Sequence, residues 1–358
     1  MTYKVTDTTV INPTNFGTSF NKMIVGDIRR TGGEELAPDK LASQGEVSGY
    51  STGGYNGVPP YIYGGNYYSR IIDKFSFTSS GNATDTGDLL ASGPTNYGIG
   101  LHTSASSSTH GYSASGAGPS QPLFPWAGST LIQRFPFASE GNSVDTGQDL
   151  LSGDPTRDAA GNTSTDYGYS SGGYPNWSNI IQKFPFSGSG NASDVGDLIE
   201  ARPIRTGNSA SSSEQGYVFG GAYPYPGERN YIEKFPFASD TNSTDVGNLL
   251  SYRMSVQGNN SSTHAYATGG SNPYPNGYNI IEKVPFAVDG NSTDVGDLTT
   301  GTSSHGSTSS TTDGFRMGGA PFPIRYNIID KFPFATDGNS VDYGDLTQGR
   351  TYLGSNHI

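Results

Sequence analysis

Five histidines are the residues whose chemistry first suggests a site in this chain. Neutral imidazole is a common metal ligand, and five such side chains converging on one channel would make a metal centre. Two of them, His110 and His264, follow the same Ser-Ser-Thr segment. A register that returns along the chain indicates a structural role, so we predict no metal site. The five are His102, His110, His264, His305 and His357.

Acidic turns offer a second set of ligand groups. The segments DGNSTD at 289 to 294 and DGNSVD at 337 to 342 gather several oxygen donors within six residues, which suits calcium. Asp, Gly and Asn are also what a tight hairpin turn requires, and the ligand spacing of an EF-hand is missing. We therefore predict turns without a bound cation. The recurrent Asn-x-Ser/Thr triplets follow from the same turns, and glycosylation is not inferred.

No catalytic constellation is recognisable among the polar residues. Each hairpin carries an acid or amide followed by a base, such as Asp73 and Lys74. Neighbours along a strand point to opposite faces, so they cannot serve as one acid/base pair. Cysteine is absent, which excludes a thiol nucleophile and a thiolate zinc site. We predict a protein that is not an enzyme and has no cofactor.

Composition and charge narrow the fold class and the partners. The 358 residues include 51 Gly, 22 Pro and 23 Tyr, while only 15% are charged, a balance typical of short strands joined by many turns. A net charge of -12 leaves no basic surface for nucleic acid. No apolar run has the length of a membrane span or of a secretory signal core. We expect no nucleic-acid partner, no membrane insertion and synthesis in a cytoplasm.

A repeated hairpin must position these residues. Basic anchors recur at intervals of 48 to 60 residues, close to the period of propeller blades. Around each anchor a β-branched and aromatic run, an Asn-containing turn and a short strand ending in Leu predict a hairpin. An aromatic-x-x-Gly-Gly strand and a small polar strand precede it, which makes four antiparallel strands. The anchors are Lys74, Arg134, Lys183, Lys234, Lys283 and Lys331.

The two ends of the repeat region complement each other. Residues 349 to 357 have the character of an innermost strand, and the segment that starts at 43 lacks one. A propeller must pair its last strand with its first, because open sheet edges invite unwanted pairing. We predict an all-β, six-bladed β-propeller over residues 41–358, closed in blade 1 by the C-terminal strand.

Residues 1–40 match no repeat, and two interpretations stand side by side. The segment is either a draped or disordered extension or a docking arm, since its apolar content is high for a solvated linker. The docking interpretation rests on Phe16, Phe20, Met23, Ile24 and Val25.

The order of the strand motifs resembles the kelch repeat. The paired glycines and the Ile-Glu/Asp-Lys-Phe segment carry this resemblance over residues 41–358, although Val195 and Val295 stand where kelch repeats have Trp. The consensus sequence of the hairpins, KFPFASDGN..TDVGDL, is similar to repeats in structural proteins of marine bacteriophages, especially those that infect cyanobacteria. The kelch likeness implies a propeller, and the phage likeness implies a virion component.

Aromatic residues fill the loops between the Gly-Gly strand and the anchor strand. By symmetry these loops emerge on one face, where each ring either covers the top of its own blade or contributes to a contact surface. The loops of blades 1 and 2 are the longest, so they are the preferred region for a specific contact. The candidate residues are Tyr61, Tyr63, Tyr67, Tyr68, Phe124, Trp126, Tyr174, Trp177, Tyr223, Tyr225, Tyr274, Tyr278, Phe322 and Tyr326.

These features together predict a non-enzymatic virion protein of a phage tail, tail fibre or capsid surface. Its expected partners are other virion proteins, a host cell-surface receptor or glycan, and further copies of itself in an assembly. Two alternatives remain open. One is a lectin-like, carbohydrate-binding propeller of a bacterium, and the other is an intracellular kelch-type scaffold.

Overall fold

Two structural units divide the chain, Met1–Lys40 and Leu41–Ile358. The computed structural model describes residues 40–56, 68–90, 98–117, 129–151, 156–205, 208–222, 227–272, 276–321 and 323–358, and the backbone of three short strands before them. Those strands form an antiparallel sheet in the order Thr9–Ile11, Tyr3–Val5 and Ile28–Arg29. The predicted docking-arm residues Phe16, Phe20, Met23, Ile24 and Val25 lie outside the described residues.

Residues 41–358 form a six-bladed β-propeller, as predicted. Every blade is an antiparallel sheet. In blades 2 to 6 the strands run in sequence order from the axis to the rim, whereas in blade 1 the innermost strand is the C-terminal one. From the innermost strand outwards, blade 1 contains Gly354–His357, Ser48–Thr52, Ile71–Ser76 and Thr84–Asp88. Blade 2 contains Thr103–Ser106, His110–Ala114, Leu131–Pro136 and Val144–Asp149. Blade 3 contains Ala160–Thr163, Tyr167–Gly173, Ser178–Pro185 and Ser193–Asp197.

The remaining three blades repeat this arrangement. In blade 4 the innermost segment, 208–211, occupies the same place with one bridge, between Ser211 and Gly216, instead of a regular ladder. The other strands of blade 4 are Gln215–Phe219, Tyr231–Pro236 and Thr244–Asn248. Blade 5 contains Gln257–Asn260, His264–Thr268, Tyr278–Pro285 and Thr293–Thr302. Blade 6 contains Gly306–Ser309, Asp313–Met317, Ile328–Pro333 and Val341–Asp345.

The C-terminal strand closes the ring in blade 1, as the sequence predicts. Gly354 pairs with Thr52 and His357 pairs with Gly49 in an antiparallel register. The Asn356 amide donates to the carbonyl oxygens of Ala105 at 2.6 Å and Tyr112 at 3.2 Å in blade 2. The closing strand therefore belongs to one blade and is bonded to the next.

The Gly-Tyr and Phe-Pro-Phe segments interlock within and between blades. Gly216 lies under the Phe235 ring across the strand pair, where an added Cβ would come within 2.5 Å of that ring. The following residue, Tyr217, contacts Phe286 of the next blade with ring centroids 5.2 Å apart. Similar contacts recur from Tyr50 with Phe137 to Phe315 with Phe77. Ring burial of this kind supplies much of the attraction between neighbouring sheets.

A buried polar contact joins each blade to the next behind these rings. The acceptor is the side chain of the residue before each basic anchor. The donor is a backbone N–H of the preceding blade, two residues after the end of its outermost strand or close to that point. Glu282 accepts from Leu250 N at 3.2 Å, and Gln133 accepts from Leu90 N at 2.7 Å. The acids at this position are completely buried, as Asp73 and Glu233 show.

Buried arginines accompany the acids and only the acids. Arg202 pairs with Glu233, Arg253 with Glu282, Arg350 with Asp73 and Arg316 with Asp330, and all eight side chains are fully buried. In blades 2 and 3 the residue at the acid position is Gln. The linkers that lead to these two blades have Ile99 and Thr156 at the position where the linkers to blades 4, 5 and 1 have Arg. Charge and countercharge therefore change together from blade to blade, as buried ions require.

The outer rim uses the turn residues for contacts between blades. Lys283 donates to Asp337 of the next turn at 2.7 Å, and Lys234 reaches Asp289 at 2.5 Å. The turn Asn accepts from a backbone N–H of the preceding blade, as Asn291 does from Asn248 N at 3.0 Å. The acids of the DGN turns thus serve blade packing, and exposed pairs of this type contribute little individually.

Candidate functional site

The linkers between blades place one residue each in the left-handed backbone region at the propeller axis. Their φ angles lie between 53° and 62°. Non-glycine residues rarely adopt this conformation, and where they do they often lie at functional sites. We call these six residues the linker ring, and they are Leu101, Asp158, Arg205, Ser255, Ser304 and Tyr352.

Backbone hydrogen bonds tie the linker ring together around the axis. Asp158 N donates to Leu101 O at 3.1 Å, and Arg205 N donates to Asp158 O at 2.8 Å. Tyr352 N donates to Ser304 O at 2.6 Å, and Leu101 N donates to Tyr352 O at 3.2 Å. These bonds join five of the six linker-ring residues, and Ser255 N donates instead to Ile204 O at 3.3 Å. Because the bonds use backbone atoms, the side chains at these positions can differ.

A cavity of about 460 Å³ opens above the linker ring, and we call it the funnel. Its size falls within the range of small-molecule sites. Its walls come from the loops of blades 1, 3 and 6, and its base comes from five of the six linker-ring residues. The wall residues include Tyr55, Tyr68, Arg157, Tyr174, Trp177, Ile324 and Arg325.

Two arginine–tyrosine stacks form opposite parts of the funnel wall. The guanidinium carbon of Arg157 lies 4.4 Å from the centroid of the Tyr174 ring. That of Arg325 lies 4.6 Å from the Tyr55 ring. Such stacking stabilises a guanidinium and fixes its plane. Each wall therefore combines a flat apolar surface with an oriented cation.

Further aromatic rings extend both walls. Trp177 meets Tyr174 edge to face at 5.9 Å, and Tyr68 meets Tyr55 at 5.5 Å. Trp177 has a φ of 51°, which is a strained conformation for a bulky residue, and it is 37% exposed. Burial raises the pKa of the Tyr68 phenol, although the charge of Arg157 opposes that shift. Tyr68 is therefore a neutral hydroxyl at physiological pH.

Positive charge exceeds negative charge in the funnel. Among the described residues, its lining contains three guanidinium groups, those of Arg157, Arg205 and Arg325, and one carboxylate, that of Asp158. Asp158 is buried and accepts a hydrogen bond from Arg157 at 2.9 Å. The funnel is thus cationic in a chain whose net charge is -12.

Below the linker ring the central channel is filled. Among the described residues, the cavity between the innermost strands has a volume of about 20 Å³, which is room for little more than a water molecule. Gln44 donates to carbonyl oxygens of blades 5 and 6 at 3.1 and 3.2 Å, and Ser43 donates to one in blade 4 at 2.9 Å. Asn208 donates across the channel to blades 6 and 1, both at 3.0 Å. In the part of the chain that the structure describes, these contacts block access to the funnel through the channel.

The described aromatic candidates divide into two groups. Tyr68, Tyr174 and Trp177 come together in the funnel. Tyr278 and Tyr326 instead cover the buried Arg253 and Arg316, at 5.7 and 5.5 Å from ring centroid to guanidinium carbon, so they cap their blades. The other candidates lie outside the described residues, and they are Tyr61, Tyr63, Tyr67, Phe124, Trp126, Tyr223, Tyr225, Tyr274 and Phe322.

The histidines lie in separate structural positions. His102 and His305 are fully buried and share hydrogen bonds with Thr52 at 3.0 Å and Thr268 at 3.1 Å. His357 Nε2 lies 2.9 Å from the carbonyl oxygen of Ala42. Among the described residues no three His, Cys, Asp or Glu side chains gather as a metal site would require.

Sequence reasoning missed the arginines of the funnel and the linker ring. Arg157 and Arg205 lie in linkers outside the repeated motifs, and Arg325 lies near the end of the blade 6 loop. The linker-ring positions and the residues on either side of them mostly differ in type from one blade to the next, so no repeated motif marks them.

Comparison with known proteins gives the chain no family. No model of a known protein family matches it, and no curated protein is significantly similar to it. In the part of the chain that the structure describes, no helix has the length and apolar character needed to cross a membrane.

Proposed function

We propose that this chain is a non-enzymatic virion structural protein, a propeller module of a phage tail, tail fibre or capsid surface. It attaches to other virion proteins and recognises a host cell-surface receptor or glycan through the funnel. The assignment to a virion rests on the phage-like wording of the repeat. The assignment to recognition rests on the funnel.

The observation that carries the recognition role is the pairing of arginine with aromatic rings on a fixed ring of backbone. Arg, Tyr and Trp are enriched among the residues that dominate the energetics of protein binding sites, and Tyr and Trp also bury large apolar surfaces. Here Arg157 stacks on Tyr174 and Arg325 stacks on Tyr55. The hydrogen-bonded linker ring holds the funnel base in place, which reduces the ordering penalty of binding.

A lectin-like propeller of a bacterium is the second candidate, and the same funnel favours it. Aromatic faces pack against the C–H faces of sugar rings, and the funnel supplies several of them. This candidate shares the ligand site with the first and differs in where the protein is found. The third candidate, an intracellular kelch-type scaffold, has only the fold in its support.

A protein inventory of purified virions tests the virion assignment. Phage particles from a lysate that carries this gene would be purified on a density gradient and analysed by mass spectrometry. We expect the chain at a fixed ratio to the major capsid protein, with antibody labelling on the particle surface. Recovery of the chain only in the particle-free fraction would contradict the virion role and favour a lectin or scaffold.

A further inference from the structure

We propose that the funnel binds an acidic saccharide, with the sugar carboxylate held by the funnel arginines and the ring packed on the aromatic walls. This inference deepens the proposed function, since it names the ligand class of the same site. It concerns a chemical group, a pyranose ring that carries a carboxylate, as in uronic or sialic acids.

The charge of the funnel selects an anion. Among the described lining residues are the three guanidinium groups of Arg157, Arg205 and Arg325 and one carboxylate, that of Asp158, which accepts a hydrogen bond from Arg157. A chain with a net charge of -12 repels anions over most of its surface. A cationic cavity on such a chain concentrates the anionic ligand at one place, and guanidinium groups match a carboxylate in geometry.

The walls select a ligand with an apolar face. In the two Arg–Tyr stacks the guanidinium carbon lies 4.4 or 4.6 Å from the centroid of a tyrosine ring, so a carboxylate bonded to either guanidinium lies close to an aromatic surface. Trp177 adds an exposed indole in a strained backbone conformation. Strain of this kind persists only where surrounding structure enforces it. A sugar ring presents a C–H face next to its carboxylate and therefore meets both features together.

The base supplies partners for hydroxyl groups. Ser303, Ser304 and Thr351 line the funnel beside Tyr352, and hydroxyl side chains both donate and accept hydrogen bonds. A volume of about 460 Å³ suits a short saccharide in a site closed at its lower end. An acidic peptide would satisfy the arginines but would have no comparable use for stacked rings and clustered hydroxyls.

Binding to matched glycans tests this proposal. The purified full-length chain would be applied to immobilised oligouronates and sialyl-oligosaccharides, each beside its carboxyl-reduced neutral counterpart, with a Glu- and Asp-rich peptide as a third ligand. Titration calorimetry would then give the Kd of the best binder. We expect at least one acidic saccharide to bind ten times or more tightly than its reduced form, with an affinity that falls as salt rises.

Two variants and a control assign the binding to the funnel. Arg325→Gln and Trp177→Ala are each expected to weaken the best acidic saccharide at least tenfold. Arg134→Gln, on the third strand of blade 2 and outside the funnel lining, should leave the Kd unchanged. Circular dichroism and denaturant midpoints would verify that all three variants fold.

Three results would overturn the proposal. They are equal binding of acidic and reduced saccharides, preference for the acidic peptide, and a loss with Arg134→Gln as large as with Arg325→Gln. Binding to none of the glycans would overturn it as well. The virion inventory does not depend on any of these results, so failure of the ligand proposal and failure of the virion assignment are distinguishable.

Discussion

The linker ring concentrates backbone strain at single residues. Ser255 and Ser304 have φ angles of 59° and 53° and are almost completely buried. A left-handed conformation costs an L-residue about 1–2 kcal/mol, and glycine avoids this cost. Ser255 N donates to Ile204 O at 3.3 Å, and Ser304 O accepts from Tyr352 N at 2.6 Å, so backbone hydrogen bonds between linkers hold both residues in this conformation.

Glycine substitution measures this strain. We expect Ser255→Gly and Ser304→Gly to be more favourable than Ser113→Gly by about 1–2 kcal/mol in free energy of unfolding. Ser113 is an equally buried control whose hydroxyl has no hydrogen-bond partner and whose strand backbone is extended. Urea denaturation of the four proteins gives the comparison. Equal costs at all three sites would show that the linker ring is not strained.

The two buried histidines make stability depend on pH. Burial lowers the pKa of His102 to about 3, and the charge of Arg350 acts in the same direction. Burial lowers the pKa of His305 well below its usual value, and Arg316 adds to the effect. An unfolded histidine takes up a proton below about pH 6.5, whereas these two stay neutral in the fold. Acidification from pH 6.5 towards 3 therefore favours the unfolded state.

Replacing these histidines should flatten the acid limb of the stability curve. Below pH 6.5 we expect each buried histidine to lower the free energy of unfolding by roughly 1 kcal/mol per pH unit. In the His102→Gln/His305→Gln variant this part of the pH dependence should disappear. Denaturant unfolding at pH 7 and pH 4.5 measures it. His110→Gln/His264→Gln, at the half-buried first residues of two second strands, should change the slope much less. Burial raises the pKa of Asp330, so acidification favours the folded state through this group. The contribution is the same in all three proteins. Identical slopes in all three proteins would contradict the assignment.

At the scale of elements, side chains change together wherever two elements meet. Five blades place a glycine under the phenylalanine of the third strand, but blade 5 has Ala265 opposite Val284. Because Val284 has no aromatic ring, there is room for the methyl group of Ala265. The buried arginines follow the same logic, because Arg accompanies Asp or Glu and is missing where Gln replaces them. These substitutions keep volume and charge constant within each junction.

A double-mutant cycle at the junction between blades 4 and 5 tests this coupling. Arg253→Met and Glu282→Gln should each destabilise by about 3–5 kcal/mol, since each leaves a buried charge uncompensated. The double variant resembles the junction that carries Ile99 and Gln133, so we expect it to cost at least about 2 kcal/mol less than the two single costs together. Equilibrium unfolding of the four proteins measures the coupling. Additive costs would show that the pair is not a unit.

At the scale of the whole molecule, closure depends on the C-terminal strand. Asn356 makes three hydrogen bonds to blade 2, and Asn162 and Asn259 make corresponding bonds from blades 3 and 5. Removal of such an amide leaves buried carbonyl oxygens unsatisfied, at about 1–3 kcal/mol. The closing strand is thus bonded as firmly as an internal one.

Truncation and substitution together test the closure. Deletion of residues 354–358 should abolish cooperative unfolding and promote aggregation, because it leaves Ser48–Thr52 as an unpaired buried edge. Asn356→Ala should destabilise by as much as Asn162→Ala or Asn259→Ala, within about 0.5 kcal/mol. Thermal and denaturant unfolding provide both measurements. Full stability of the truncated chain, or a negligible effect at Asn356 alone, would contradict closure by this strand.

The sequence was informative about the ring and much less so about the funnel. Blade number and closure follow from local hairpin patterns and from the need to pair open edges, and the structure confirms both. Whether an aromatic residue faces the axis depends on the linker beneath it, so the sequence does not separate Trp177 from Tyr326. Arg157 and Arg205 belong to linkers whose left-handed backbone depends on bonds to other linkers, and no local pattern announces such bonds.

The paired changes at the blade junctions restrict how this gene can be rearranged. A linker arginine and the carboxylate that neutralises it stand about 30 residues apart for blades 4 and 5, in linker and following hairpin. A duplication or exchange that starts at a linker transfers both partners, whereas one that starts at a hairpin separates them and places an unbalanced ion in the interior. Viable recombination breakpoints should therefore lie before the linkers, outside the most similar stretches of the repeat.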